Sequence, residues 1–209
     1  MILFDSKVAP SPKRVRIFLA EKGVELETEE VDLASGEQHS EAFAAINPDR
    51  VVPVLQLDDG SYVSEVVAIC QYLEEQYPEP PLLGTTAEER ARISMWNAKV
   101  EFQGLYAVAD AWRNFSKFFK DRALAGATQY EQIPELAERG RQRIFDCFNR
   151  LDGQLADNSY VAGDNYSMAD ITALVFVEFA RNVKAGIPDD CANLQRWYEE
   201  VSQRPSSAA

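Results

Sequence analysis

The spacing of hydrophobic residues changes once along the chain, and this change divides the protein into two parts. In the first part, short apolar runs alternate with segments of helical spacing, so the predicted order of elements is βαβαββα. The predicted strands cover residues 2–4, 27–31, 53–57 and 62–63, and the predicted helices cover residues 13–22, 40–46 and 65–77. In the second part the strand pattern stops and long amphipathic segments follow. They predict helices over residues 87–109, 111–124, 135–155, 169–184 and 191–204.

A proline-rich segment separates the two patterns. Pro78, Pro80 and Pro81 interrupt any helix there, and Gly84 follows them. We therefore predict an α/β domain at residues 1–78, a linker at residues 79–86 and an all-helical domain at residues 87–209.

Composition narrows the classes of function. The formal net charge is −13 and the pI is near 4.6, so nucleic acid and anionic membranes are not expected as partners. No apolar stretch reaches the length of a membrane span, and the first residues lack the pattern of a secretion signal. The three cysteines have no CxxC spacing, which favours a reducing cytoplasm. Since His39 is the only histidine, a metal site built from several histidines is excluded.

The segment of residues 47–69 carries the most informative motif. Val52 precedes Pro53, which favours an extended backbone that can offer its polar groups to a ligand. A turn at residues 59–60 suits a hairpin, and Ser64 can cap a helix that begins at Glu65. A carboxylate side chain and a helix N-terminus at one place can hold an ammonium group and a carboxylate together.

These residues resemble the thioredoxin-like half of the glutathione transferase family, in which the matching proline is usually cis. Residues 166–171 form a capping box with a hydrophobic staple. Together with residues 163–164, Trp197 and residues 204–206, they are similar to the C-terminal domain of that family. The resemblance covers essentially the whole chain. It implies a bacterial-type cytosolic member that uses glutathione as co-substrate, without a metal, and that acts as a homodimer in detoxification.

The resemblance also implies where glutathione binds. The γ-glutamyl end is expected to bind to Glu65 and to the backbone amide of Val66, where many members have a serine or threonine hydroxyl. Glu65 has a second interpretation, as an acid that merely complements the helix dipole. The glycine carboxylate falls near Gln38, His39 and Arg50, although a lone histidine on a loop is often only solvated.

The group that holds the thiol is the least regular part of the resemblance. The position of the usual catalytic serine of plant and theta-like classes is Ala9, which has no side-chain donor. Ser11 matches the place where nu-class and fungal prion-related members have an asparagine, so Ser11 is the candidate thiol donor. Alternatively, Ser11 makes a turn or caps the helix that begins near Pro12.

An aromatic-rich region of the helical half is the candidate acceptor pocket, with Tyr106, Trp112 and Arg113 beside Ala9. At helical spacing, such residues are more often part of a core or a dimer interface. Three functions stay open. A transferase acting on a small electrophile leads, a glutathione-dependent disulfide reductase is favoured by Ser11, and a non-catalytic binding protein is favoured by Ala9 and Val66.

Overall fold

The computed structural model describes residues 1–209 and confirms an α/β domain followed by a helical domain. Its four strands are β1 (Ile2–Asp5), β2 (Glu27–Glu30), β3 (Val54–Gln56) and β4 (Tyr62–Ser64). Three helices accompany them: α1 (Pro10–Lys22), α2 (Glu41–Ile46) and α3 (Val66–Gln76). Five further helices follow: α4 (Ala87–Val100), α5 (Tyr106–Arg113), α6 (Pro134–Leu155), α7 (Met168–Ala180) and α8 (Ala192–Val201). None of these helices is long and apolar enough to cross a lipid bilayer.

The sheet has the strand order β2-β1-β3-β4. β1 pairs in parallel with β2 through the α1 crossover and antiparallel with β3, and β3 pairs antiparallel with β4. Every residue of β2 is exposed, because this strand forms an edge with the sequence Glu-Thr-Glu-Glu. Such charges discourage pairing with a further strand. The sheet core is completed by α1 and α3, which bury Phe18 and Ile69.

The first helix begins three residues earlier than the predicted start at residue 13. Ala9 is its extended N-cap, Pro10 is its first residue, and it ends at Gly23 with φ of 65°. Proline is favoured at this first position because its ring already has a helical φ and it lacks the N–H that would go unpaired. Ser11 therefore lies inside the first turn of α1 and not in the preceding loop.

The predicted helix over residues 87–109 is interrupted. α4 passes through a π-helical turn, Glu101–Leu105, directly into α5. Gly104 of this turn packs against the ring of Phe176 so closely that an added Cβ would lie 2.9 Å from it. The π-helical turn thus joins α4 directly to α5 and packs closely against α7.

The predicted helix over residues 111–124 was wrong. α5 ends at Arg113, and only a short 3₁₀ turn, Lys117–Phe119, occurs before α6. Asn114 ends the helix because its amide donates to the carbonyl of Asp110 (3.0 Å) and its side-chain oxygen accepts from the N–H of Ile133 (2.9 Å). A side chain that bonds to nearby backbone competes with helix continuation.

The predicted capping box at the start of α7 is confirmed. Asp170 accepts from both the backbone N–H and the hydroxyl of Ser167, each at 3.0 Å. It also accepts from the N–H of Val161 (2.8 Å) and the indole N–H of Trp197 (3.0 Å). Asp170 is fully buried, and burial raises the pKa of its carboxyl to about 6. One carboxyl thus joins α7, α8 and the loop before α7.

Ion pairs connect α1 to the helical half. Lys13 pairs with Glu178 (2.8 Å), the buried Arg14 pairs with Glu101 (2.9 Å), and both contacts join the two halves. Residues 77–86 between α3 and α4 contain neither helix nor strand. The proposed domain boundaries within this stretch stay a prediction.

Candidate functional site

The N-terminus of α3 is the centre of the candidate site. Glu65 is its N-cap, with φ of 70° and ψ of 126°, and Ile69 donates its N–H to the Glu65 carbonyl (3.0 Å). The amides of residues 66–68 therefore precede the first intrahelical bond and are free for an external acceptor. The prediction that Ser64 caps this helix was wrong, because Ser64 is the last residue of β4. Glu65 itself is exposed and can meet a cation.

Val66 contributes its backbone and not its side chain to this site. The residue is 4% exposed and packs with the hydrophobic core, and a valine side chain has no polar group to offer a ligand. A ligand at the helix end therefore meets the Val66 amide and the positive end of the helix dipole. Valine supplies no hydroxyl at this position.

The turn before β3 places Val52 beside the end of α3. Val54 is paired with Ser64 across the β3–β4 ladder, so the residues that flank these two lie at one edge of the sheet. The Val52–Pro53 peptide bond is cis, as the resemblance implied. The side-chain amide of Asn47 donates to the Val51 carbonyl (2.9 Å) and fixes the turn. The polar backbone groups of Val52 make no hydrogen bond within the chain and are available to a ligand.

Gln38, His39 and Arg50 lie close together, as the sequence suggested. Arg50 has φ of 57°, and its Nη1 donates to the His39 carbonyl (2.6 Å). The side-chain oxygen of Gln38 is buried and has no donor within the chain. A buried acceptor without a partner is unfavourable unless a ligand or water supplies the hydrogen bond. Whether these residues contact a ligand stays a prediction.

The N-terminus of α1 offers one backbone donor. Pro10 and Pro12 have no N–H, and Lys13 donates weakly to the Ala9 carbonyl (3.4 Å). The N–H and the hydroxyl of Ser11 make no hydrogen bond within the chain. Ser11 therefore presents two donors at the positive end of a helix, whereas Ala9 presents no side-chain donor.

The basic residues that follow Ser11 are already paired. Lys13 and Arg14 bind Glu178 and Glu101, and Arg16 donates to Asp5 at 2.6 Å. Arg14 and Asp5 are almost completely buried. These charges chiefly connect α1 to its neighbours.

The π-helical turn brings two aromatic rings to the cleft. Tyr106 and Phe102 are both more than half exposed and stack with ring centroids 5.6 Å apart. Partial burial raises the pKa of Tyr106, and the charges of Glu101 and Glu65 raise it further. Contact of Tyr106 with an acceptor substrate stays a prediction.

Trp112 packs edge-on against Phe119 and Phe179, at 5.1 Å and 5.6 Å between ring centroids. It is partly buried by these contacts, so its role at a pocket stays a prediction.

Arg113 has a structural task that the sequence did not reveal. Its guanidinium lies over the Phe119 ring (4.3 Å) and donates to the carbonyls of Arg122 (2.7 Å), Ala123 (3.2 Å) and Leu124 (2.9 Å). Burial, together with the nearby charge of Arg122, lowers the pKa of Arg113 to about 10. Contact of Arg113 with a substrate stays a prediction. No local sequence signal reveals this task, because the carbonyls that Arg113 binds lie 9 to 11 residues further along the chain.

Comparison with known proteins gives one consistent result. Family models for the N-terminal and the C-terminal domain of glutathione S-transferase match residues 9–76 and 134–200. Glutathione S-transferase 2 of Saccharomyces cerevisiae is 35% identical over 208 residues, which are 99% of this chain and 87% of that protein. A glutathione S-transferase domain-containing protein of Marinobacter aquaeolei superposes with a TM-score of 0.92 at 34% identity, covering 99% of each chain. Gtt2 of Saccharomyces cerevisiae superposes with a TM-score of 0.91, also at 34% identity, over 100% of this chain and 99% of that one. The chain belongs to the glutathione S-transferase family.

Proposed function

We propose that this protein is a glutathione transferase that binds glutathione at the end of α3 and activates its thiol at the start of α1. The observation that carries the proposal is the pair of helix N-termini with unengaged donors, at residues 66–68 and at Ser11. Two such ends on one cleft suit a ligand with a carboxylate at one place and a thiolate at another.

In this arrangement the γ-glutamyl end of glutathione lies at α3. Its ammonium pairs with Glu65, its carboxylate accepts from the amides of residues 66–68, and its cysteine backbone bonds to Val52. The glycine carboxylate lies toward His39 and Arg50. The missing hydroxyl at Val66 removes one neutral hydrogen bond of roughly 0.5–1.5 kcal/mol, which is about two- to tenfold in affinity. Binding is weakened by this and persists.

The thiol is activated by hydrogen bonding to its anion. A free thiol has a pKa of about 8.5, and lowering it by two units needs roughly 2.7 kcal/mol of selective stabilisation of the thiolate. A hydrogen bond to an anion supplies about 1.5–3 kcal/mol, and Ser11 has both a hydroxyl and an amide to offer. The thiolate then forms a C–S bond with the electrophilic carbon while the leaving group departs with its electron pair. Tyr106 walls the acceptor side, and a role in detoxification follows from this chemistry.

A disulfide reductase is the second candidate, favoured by the position of Ser11 in place of a donor at residue 9. The three cysteines are buried and unpaired, so the reducing thiol would come from glutathione and not from the chain. The glutathione thiolate would attack a mixed disulfide of glutathione, form oxidised glutathione and release the other sulfur as a thiolate.

Parallel calorimetric titrations with reduced and oxidised glutathione test the proposal. Preferential binding of the reduced form, followed by turnover of an aromatic halide, supports the transferase. Tighter binding of the disulfide, with turnover of a mixed disulfide and none of the halide, replaces it by the reductase. Absence of binding by either form overturns both and leaves a non-catalytic protein.

We also propose a homodimer in a reducing compartment such as the cytoplasm. A groove between α3 and α4, lined by residues such as Val67, Gln71 and Ser94, lies away from Ser11 and supports a subunit contact there. The three free thiols support the compartment. Light scattering coupled to gel filtration gives the mass in solution; a single 23.5 kDa species would refute the dimer.

A further inference from the structure

A closed loop of the helical half reaches across to the sheet domain; we name residues 123–130 the bridge loop. Its ends are joined by the hydrogen bond from the Ala123 N–H to the Tyr130 carbonyl (3.0 Å), and Arg122 is bridged to Tyr130. A compact surface loop whose ends lie together is an Ω-loop, a type that often carries function.

Arg113 fixes the near side of the bridge loop. It donates three hydrogen bonds to the carbonyls of residues 122–124, and no other side chain donates to these carbonyls. From the other side, the Gln132 amide donates to the carbonyls of Arg113 (2.6 Å) and Ser116 (2.8 Å). The loop is therefore held in one position relative to the end of α5.

The tip of the bridge loop lies against the turn that precedes Val52. Gly126, with φ of 123°, is so close that a Cβ built on it would lie 3.5 Å from the Asp49 carbonyl oxygen. Arg50, which follows Asp49, donates to the His39 carbonyl (2.6 Å). Three separate segments thus meet at the rim where the glycine end of glutathione is proposed to lie.

The chemistry of the tip suits an anion. Residues 124–130 carry no charge, although the chain has a net charge of −13. The backbone N–H groups of residues 124–129 make no hydrogen bond within the chain. Small residues at 125–127 let backbone approach a ligand closely, and an uncharged tip does not repel a carboxylate. The side-chain oxygen of Gln38 in the neighbouring segment is buried and has no donor within the chain, so it can accept a hydrogen bond from the N–H of the glycine residue.

We propose that the bridge loop is the helical domain's contact with the glycine end of bound glutathione, and that Arg113 positions it. The inference rests on the proposed function and adds a specificity to it. A ligand without the glycine residue, γ-glutamylcysteine, cannot reach the loop. The loop therefore makes the site select glutathione over its shorter analogue.

Calorimetric titration of the full chain with glutathione and with γ-glutamylcysteine tests this contact. Ala127, beside Gly126 at the exposed tip, is replaced in two matched variants, Ala127→Glu and Ala127→Gln. We expect the Kd for glutathione to be roughly three- to tenfold higher in the glutamate variant than in the glutamine variant, because a negative charge then faces the glycine carboxylate and weakens binding. The two variants should bind γ-glutamylcysteine equally.

Arg113→Lys tests the positioning role, since lysine keeps the charge but cannot serve three carbonyls at once. We expect the preference for glutathione over γ-glutamylcysteine to shrink while the Kd for γ-glutamylcysteine stays constant. Equal weakening of both ligands would show a general structural effect and overturn the positioning role. Equal behaviour of the two Ala127 variants toward glutathione overturns the loop contact alone. If the unaltered protein binds neither ligand, both the proposed function and the loop contact are refuted.

Discussion

Arg204, near the end of the chain, holds Glu21 of α1 with two parallel N–H···O bonds of 2.8 Å and 2.7 Å.. The hydroxyl of Ser206 donates to the same carboxylate, and the guanidinium lies over the Tyr166 ring at 4.0 Å. The contact fastens the C-terminal segment to the helix whose N-terminus is proposed to hold the thiol. Loss of this contact should therefore change both the free energy of unfolding and its dependence on pH.

Glu21→Gln should lower the free energy of unfolding by about 1–3 kcal/mol at neutral pH, because a half-buried bidentate pair loses its charge-assisted bonds. Burial acts to raise the pKa of Glu21, but hydrogen bonds from Arg204 and Ser206 outweigh it and the pKa is lowered. A lowered carboxyl pKa gives stability that is present above the unfolded-state pKa and lost as the pH falls through the folded one. Urea unfolding between neutral and acidic pH measures this. Glu25→Gln, an exposed control, should keep the full acid-dependent loss, and an unchanged acid slope in Glu21→Gln would contradict the assignment.

Asp170→Asn should lower the free energy of unfolding by about 2–4 kcal/mol, since an amide group would then face N–H donors that a carboxylate accepts. Burial raises the pKa of Asp170 to about 6, above the ordinary value. The folded protein therefore binds the extra proton between about pH 4 and this raised value, and this contribution to stability declines as the pH rises through that window. The declining component should vanish in the variant. A variant that keeps the same slope by chemical denaturation would argue against Asp170 as its source.

Ser11→Ala should raise the pKa of the bound glutathione thiol by about one unit, because the hydroxyl is lost while the amide of the same residue remains. Ala9→Ser is the complementary change and should lower this pKa by restoring a side-chain donor at the neighbouring position. Ultraviolet titration of the thiolate in the complex measures both. An unchanged titration in Ser11→Ala would remove Ser11 from the thiol site.

Val66→Ser should tighten glutathione binding by about two- to tenfold through an added hydrogen bond at the end of α3. Since Val66 is buried, the same change should lower thermal stability, and Val66→Ala supplies a control that shortens the side chain without adding a hydroxyl. Calorimetric titration of the two variants with glutathione shows whether the added hydroxyl tightens binding. Equal affinities would show that the hydroxyl does not reach the ligand.

Gly104→Ala should destabilise the protein by about 1–3 kcal/mol through overpacking, because its Cβ would approach the Phe176 ring to 2.9 Å. Gly153→Ala in α6 meets open space and should instead stabilise by about 0.5–1 kcal/mol. Thermal unfolding of the two variants should therefore shift in opposite directions. A shift of the same sign would mean that the π-helical turn adapts.

Much of the fold could be read from local pattern. Alternating and helical spacing gave the βαβαββα order and the helical half, and the Ser167 and Asp170 pair gave the start of α7. Boundaries were less certain where two local preferences compete. Pro10 and Pro12 read as a loop, although proline also begins helices, so the start of α1 was misplaced and Ser11 with it.

The residues of the candidate site were also proposed from the sequence, because the motif around Val52, Pro53 and Glu65 is local, and their roles stay a prediction. The sequence did not predict the hydrogen bonds and contacts between segments that are far apart in the chain. Apolar spacing predicted a helix through residues 111–124, but Arg113 and Asn114 bond to carbonyls and N–H groups far along the chain. The approach of Gly126 to Asp49 has no trace in either segment alone.

The sequence by itself determined most of the secondary structure, the division into two halves and the chemical types available at the site, because periodicity, turn residues and charge act over a few residues. Only the tertiary structure decided that Arg113 holds a loop, that Tyr106 stacks on Phe102, and that Lys13, Arg14 and Arg16 are each paired with an acid. Those outcomes depend on which buried groups find hydrogen-bonding partners once the two halves are packed together.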